Sequence, residues 1–420
     1  MGKTFSEKIL SLKSGVDARA GQIVTVSPDY VMSHDNSAAI LKTFKKLGVE
    51  KVKYPERAVI VLDHTVPPST ETYALHHKEI REFVREQGIE NFFDINTEGG
   101  ICHQVLPEKG FALPGKLILG ADSHTTTYGA FGAFSAGIGR SEVAAIWATG
   151  ELWLRVPETI KVVVKGKVPK GVYAKDIVLH IIGKIGADGA TYMAVEFTGP
   201  VVEEMTVASR MVLTNMAAEM GAKNGYVPPD EKTFEWLKGR ARTEYEPIYS
   251  DPDADYRDVI EFDVSDLVPQ VAAPHTVDNV RPISEVEGTP INQGLLGTCT
   301  NGRLEDLEVA ARILEGRKIA PGVRALVFPA SWEVYREALK KGILWKLIEA
   351  GCVIMNPGCG PCLGAHEGVL APGEVAISTA NRNFKGRMGS REAEIYLASP
   401  ATVAASLIEG KITDPRKYLE

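Results

Sequence analysis

Short β-branched runs alternate with helical stripes along the whole chain, and each run ends in a loop rich in Gly, Ser, His or Cys. Arg57 to Leu62 predicts a strand ending at Asp63-His64, and Lys116 to Gly120 one ending at Asp122-Ser123-His124. Ile291 to Leu296 leads to Thr298-Cys299-Thr300-Asn301, after which Leu304, Leu307, Val309, Ala310 and Ile313 recur at helical spacing. Val353 to Met355 leads to Asn356-Pro357-Gly358-Cys359. Such runs with helices between them predict α/β units with parallel sheets. Ligands bind beyond the carboxyl ends of the strands in open α/β sheets, so these four strand ends are expected to share one cleft.

A further strand-like run, Ile160 to Val168, is closed by Pro169-Lys170-Gly171 and opens a second unit. Val227 to Arg257 is polar, with Pro228, Pro229, Pro247, Pro252 and the acidic run Asp251-Pro252-Asp253-Ala254-Asp255, and reads as a connector or excursion. Three α/β domains follow, 1–156, a smaller one at 157–266, and 267–420. The 420 residues fit two or three domains of about 150 residues each.

Composition narrows the class. Apolar residues are 44% and charged residues 24%, which excludes disorder and coiled coil. Lysine plus arginine is 47 against 54 acidic residues, without a dense basic stretch, so no nucleic-acid partner is expected. No run approaches the roughly 18 to 20 apolar residues of a membrane helix, and the start lacks the apolar core of a signal peptide. A membrane partner is not expected and a cytoplasmic location is. Gly2 with Ser6 spells the loose myristoylation pattern, too short and common to carry weight. Five cysteines, an odd and unevenly spaced set, do not make a disulfide scaffold.

Cys359-Gly360-Pro361-Cys362 spells a redox dithiol, but Gly358 precedes it and Leu363-Gly364 follows, unlike the aromatic lead and opening helix of a thioredoxin-type site. A structural zinc site needs two close ligand pairs, and there is one. With Cys299, three thiols are available. A four-iron cluster held by three cysteines leaves one iron open to substrate, where it acts as a Lewis acid for hydration and dehydration; catalytic zinc on three cysteines is the competing reading. Cys352, in Gly351-Cys352-Val353-Ile354, reads as a small buried residue. Cys102 reads as incidental beside a functional His103, since neighbours in a strand point to opposite faces. His76, His77, His180 and His275 carry no motif.

Gly297-Thr298-Cys299-Thr300-Asn301-Gly302-Arg303, Pro357-Gly358-Cys359-Gly360-Pro361-Cys362, Asn381-Arg382-Asn383-Phe384-Lys385-Gly386-Arg387, Asp122-Ser123-His124 and Tyr396-Leu397-Ala398-Ser399-Pro400 together resemble the aconitase superfamily. The resemblance runs from Phe5 to about Pro415 and is closer to the large subunits of 3-isopropylmalate dehydratase and homoaconitase. It implies the first three α/β domains of aconitase and a [4Fe-4S] cluster with one labile iron on Cys299, Cys359 and Cys362. The fourth, swivelling domain, which carries the serine base, is expected from a separate small subunit. The activity implied is a hydro-lyase acting on a small 2-hydroxy di- or tricarboxylate. Its substrate would be isopropylmalate, in leucine biosynthesis, with homoaconitate or dimethylmalate as alternatives. RNA binding, known for cluster-free relatives, conflicts with the acidic balance.

The same resemblance assigns residues. Asp63-His64 matches the pair whose histidine protonates the departing hydroxyl; His103 with Glu196 matches a second histidine and carboxylate, and Asp122 with His124 a third. Neighbouring carboxylates suit histidines that donate protons near neutral pH. Arg382 and Arg387 match arginines that bind substrate carboxylate, with Ser123 beside them. Asn301 and Asn383 are expected near the cluster. In Met32-Ser33-His34-Asp35, His34 stands where aconitase has a substrate-binding glutamine, which points away from citrate and makes His34 a candidate substrate contact.

Overall fold

In the computed structural model, which describes residues 2–419, the strands gather into three large sheets and one small ribbon. The first sheet has five parallel strands in the order Phe92–Phe93, Ala58–Val61, Tyr30–Ser33, Leu117–Gly120, Phe134–Gly137. The second has four parallel strands, Asn224–Tyr226, Ala194–Thr198, Thr159–Lys165 and Asp258–Asp263. The third has seven, and its central five, Glu394–Leu397, Val375–Ser378, Gln293–Gly297, Arg324–Phe328 and Val353–Ile354, are parallel. Gln270–Ala272 and Val280–Pro282 extend that sheet antiparallel. The ribbon pairs Ile23–Val26 with Leu152–Arg155.

Numbered along the chain, the strands of the first sheet lie in the order 3-2-1-4-5, and the central five of the third repeat that order. This doubly wound order reverses beside its first strand, and the reversal opens a crevice at the carboxyl ends. In the first sheet the crevice receives His34-Asp35, Asp63-His64 and Asp122 to His124; in the third it receives Cys299, Asn381 and the loop carrying Cys359 and Cys362. Both sheets are covered on both faces, so their strands read as near-continuous apolar runs such as Ala58-Val59-Ile60-Val61, buried throughout.

Two local expectations change. Cys102-His103 opens a helix, Cys102–Glu108, instead of lying in a strand, because Asp63 accepts the Cys102 N–H at 2.7 Å and so caps the helix from another loop. The polar stretch after Val227 is no free connector. It contains a helix, Glu231–Leu237, capped by Asp230, and then lies so close to the first unit that a Cβ on Gly110 would sit 1.8 Å from the Arg240 carbonyl. Phe5 stacks on Tyr226 with ring centroids 3.7 Å apart, and the Tyr226 hydroxyl donates to Ile248, fastening the N-terminal helix Phe5–Ser14 over the same junction.

The helix bearing His103 is anchored to the third sheet at its far end. Glu108 Oε1 accepts from Gln104 Nε2 (2.8 Å) and from Ser331 Oγ (2.7 Å), and Ser331 also caps the helix Trp332–Lys340. Burial, with the charge of Glu333 behind it, raises the Glu108 carboxyl to about 7. The folded chain therefore keeps a proton that the unfolded chain releases at its ordinary value, and the stability this contributes is lost as pH rises through 7. Glu108→Gln keeps both acceptor contacts without the charge. It is expected to match wild type below about pH 5 and to exceed it by on the order of 2 kcal/mol at about pH 8 in urea unfolding.

Candidate active site

Asp35 organises the loop that carries Asp63 and His64. One carboxylate oxygen accepts the N–H groups of Asp63 and His64 (both 2.9 Å), and the other accepts from the Thr65 N–H, the Thr65 hydroxyl and His77 Nε2 at 2.7 Å. His77, which carries no motif, thus supports the site from the helix Glu71–Gln87. Burial works against the Asp35 charge, but these donors outweigh it and hold the carboxyl well below its ordinary value. Donor atoms of His34, Asp35, Asp63 and His64 lie within 4.8 Å of one another. Because the Asp35 oxygens are already filled with donors, that group is a hydrogen-bonded scaffold and not a metal site.

His64 Nδ1 lies 2.5 Å from Asp63 Oδ1, and its Nε2 is 3.7 Å from Asp122 Oδ2. Burial opposes an imidazolium there, yet Asp63 and Asp122 together raise the ring well above its ordinary pKa. His34 stacks on His64 at 3.7 Å, and burial followed by the His64 charge lowers it to about 4. The two rings of the stack are thus pushed in opposite directions.

The other two histidines depart in part from the motif reading. His103 Nε2 is 2.8 Å from Asp122 Oδ1, with Nδ1 3.1 Å from the Tyr128 hydroxyl, so its carboxylate is Asp122 and not Glu196. Glu196 lies on the strand Ala194–Thr198 and accepts from Ser250 (2.6 Å) and Tyr256, holding the polar stretch after Val227. His124 Nε2 is 2.7 Å from Glu219 Oε1 and its Nδ1 3.6 Å from Asp122 Oδ1, which also accepts the His124 backbone N–H as the cap of the turn Ser123–Phe131. Glu219 also accepts from Arg382 Nε at 2.9 and 3.1 Å. Burial alone would raise the Glu219 carboxyl, and His124 and Arg382 reverse that. Ser123 is exposed and lines a neighbouring hollow with Glu142 and Lys223.

Cys299, Cys359 and Cys362 line a single small cavity together with His64, His103, Asp122, His124, Asn381 and Arg387. Thr298, just before the first thiol, has φ 70, a left-handed backbone rarely tolerated by a β-branched residue, and Gly297 (φ 140) could not bear a Cβ, which would meet the Phe328 carbonyl at 2.2 Å. The Arg303 guanidinium donates to the carbonyls of Thr300 (2.6 Å) and Cys299 (2.7 Å). Asn215 and Asn381 each bring Nδ2 to 3.3 Å from Cys299 Sγ. The asparagines foreseen here point elsewhere: Asn301 donates to Asp306, and Asn383 to the carbonyls of Ala273 and Thr276. Arg387 Nη2 is 3.9 Å from Cys362 Sγ.

All five cysteines are free. Burial raises the Cys299 thiol to about 11 and pushes Cys359 higher still, the reverse of the lowered pKa that a dithiol redox site requires. Buried thiols of this kind become thiolates when a soft metal binds them, and three on one cavity wall with no disulfide fit an iron–sulfur group. Cys102 and Cys352 lie in separate apolar cores.

The family model for aconitase (aconitate hydratase) matches residues 7–290 and 284–410. The 3-isopropylmalate dehydratase large subunit 1 of Methanopyrus kandleri is 58% identical over 420 residues, covering all of both chains. The probable methanogen homoaconitase large subunit of Methanosarcina mazei is 58% identical over 390 residues, 93% of this chain and 98% of that one. Among solved structures, Thermococcus kodakaraensis aconitase X aligns with a TM-score of 0.53 at 15% identity over 88% of each chain, a likeness of fold.

Proposed function

Because this chain belongs to the aconitase family, in which it is a hydro-lyase, we propose that it is the catalytic large subunit of a 3-isopropylmalate dehydratase, working with a small subunit in the cytoplasm. The observation that carries this reading is the single cavity on which three buried thiols face the His64–Asp63 pair. Cys299, Cys359 and Cys362 would hold a [4Fe-4S] cluster, which when bound supplies an open iron as Lewis acid for the substrate hydroxyl.

The chain's own residues then divide the remaining tasks. His64, its Nδ1 fixed by Asp63, holds a proton at Nε2 toward the cavity and delivers it to the departing hydroxyl. His103 and Asp122 fix one another, and Asp122 keeps His64 charged from the cavity side. Arg382 is held through Nε by Glu219, which leaves its Nη groups for a substrate carboxylate, and Arg387 offers a second guanidinium. A serine on the small subunit would take the carbon-bound proton. Re-adding water with the opposite regiochemistry completes the isomerisation, and neutral His34 would act as a hydrogen-bonding contact behind His64.

Equal identity to relatives named for isopropylmalate and for homoaconitate supports a second reading, the same chemistry on a longer tricarboxylate. The deciding experiment mixes the anaerobically reconstituted chain with its small subunit and assays both substrates in parallel. Turnover of isopropylmalate alone is the expected result, homoaconitate alone would replace the reading, and inactivity on both would end it. Within the site, Glu219→Gln removes the charge shared by His124 and Arg382 and is expected to lower kcat/KM roughly 10- to 100-fold, read by steady-state kinetics on the loaded pair.

A further inference from the structure

Lys175 is fully buried near the start of the helix Ala174–Ile185. Its ammonium donates to two backbone carbonyls, Thr379 (3.0 Å) and Ala380 (2.6 Å), and it has no ion pair among the described residues. Its sequence neighbour Asp176 is no counter-ion: that carboxylate accepts the N–H groups of Tyr173 and Gln270, both at 2.8 Å. A cation in the first turn of a helix also meets the positive end of the helix dipole. Burying an ammonium on these terms is costly unless a negative charge lies near.

The surroundings show where that charge belongs. Thr379 and Ala380 lead directly into Asn381, whose side chain touches both Cys299 and Cys362, and the Thr379 hydroxyl accepts the Gly297 N–H at 2.9 Å. Lys175 thus holds the loop that leads into Asn381, and the groups whose negative charge favours its own are led by the Cys299 sulfur, followed by Asp306 and Cys362. Burial outweighs them and lowers its ammonium to about 7.

We propose that Lys175 is the buried counter-charge of the thiol-bound cluster, a positioning residue on the second sheet's unit whose desolvation is offset only when the three thiols are loaded. The inference rests on the cluster reading above. Three thiolates outweigh the charge of an oxidised four-iron core, so the loaded group is anionic and the ammonium complements it. The empty chain, in contrast, leaves the buried amine without an ion pair among the described residues.

The test compares wild type with Lys175→Met and Lys175→Arg, each prepared empty and after anaerobic reconstitution, with iron content measured first. Empty Lys175→Met is expected to unfold at a higher temperature than empty wild type, and to gain less on loading. Its loaded form should release iron to a chelator at least about tenfold faster and be reduced at a more negative potential, with Lys175→Arg close to wild type. If Lys175→Met does not fold, Lys175→Gln is carried through the same comparison. Equal gain on loading and equal iron release in wild type and the neutral variant would overturn the proposal while the cluster stands. A wild type that takes up no iron would overturn the cluster reading and this proposal with it.

Discussion

Cys299→Ser is expected to fold, remain colourless after anaerobic reconstitution and show no turnover with either hydroxy acid, whereas Cys102→Ser and Cys352→Ser load iron as wild type does. The contrast follows from where the thiols point. Cys299 lies on a left-handed turn, its carbonyl held by Arg303 and its sulfur approached by two asparagine amides, so the loop is shaped before any metal arrives. Serine offers a harder, far less acidic donor in the same place, and the cavity keeps only two soft ligands. Cys102 and Cys352 face apolar cores and lose only packing. Iron content near four per chain and the visible absorbance of the cluster check both halves. Retention of a full complement of iron by Cys299→Ser would remove that residue from the ligand set.

Asp63→Asn is expected to bind iron and substrate nearly as wild type does and to lose about 10³- to 10⁴-fold in kcat, the scale on which orienting carboxylates and proton donors matter. Asp63 is fully buried and makes two short contacts, to His64 Nδ1 and to the Cys102 N–H. The amide can still accept the N–H, so the helix Cys102–Glu108 keeps its cap, but it cannot balance an imidazolium. Against burial that already disfavours the charge on His64, the ring then loses its largest supporting partner. His64→Gln should fall to the same level, and the double variant no further, because the two residues act as a unit. An additive double variant would mean that Asp63 works through some other group.

The strand ends and the thiols were legible in the sequence because each is a local feature. An apolar run closed by Asp63-His64 places both side chains at one strand end, and the pair needs no distant partner to be read. The carboxylate partners of His103 and His124 were not legible in the same way, because a hydrogen bond between side chains 95 residues apart, as between His124 and Glu219, leaves no mark on spacing. Asp122-Ser123-His124 reads as a pair and the fold keeps it, with His124 Nδ1 3.6 Å from Asp122 Oδ1, but the shorter contact of the ring, to Glu219, has no local signature. Asn381 and Asn383 illustrate the same limit. They flank Arg382 after one strand, and only the fold decides that Asn381 meets sulfur while Asn383 braces the carbonyls of Ala273 and Thr276. Glu219 and Asn215, on a turn and a helix of the second unit, carried no local signal at all.

Three backbone contacts cross between the first and third units at the site itself. The Cys359 N–H donates to the Asp63 carbonyl at 3.0 Å, the Ile101 N–H to the Ala330 carbonyl at 2.8 Å, and the Trp332 N–H to the Gly99 carbonyl at 3.2 Å. The Asp63-His64 loop and the thiols are therefore welded into one block, and a hinge between them would have to tear main-chain bonds. Under the two-subunit reading proposed above, opening and shutting around substrate falls instead to the small subunit over the outer rim. The rate of product escape is then expected to follow the viscosity and temperature response of that covering body, and not of the block that performs the chemistry.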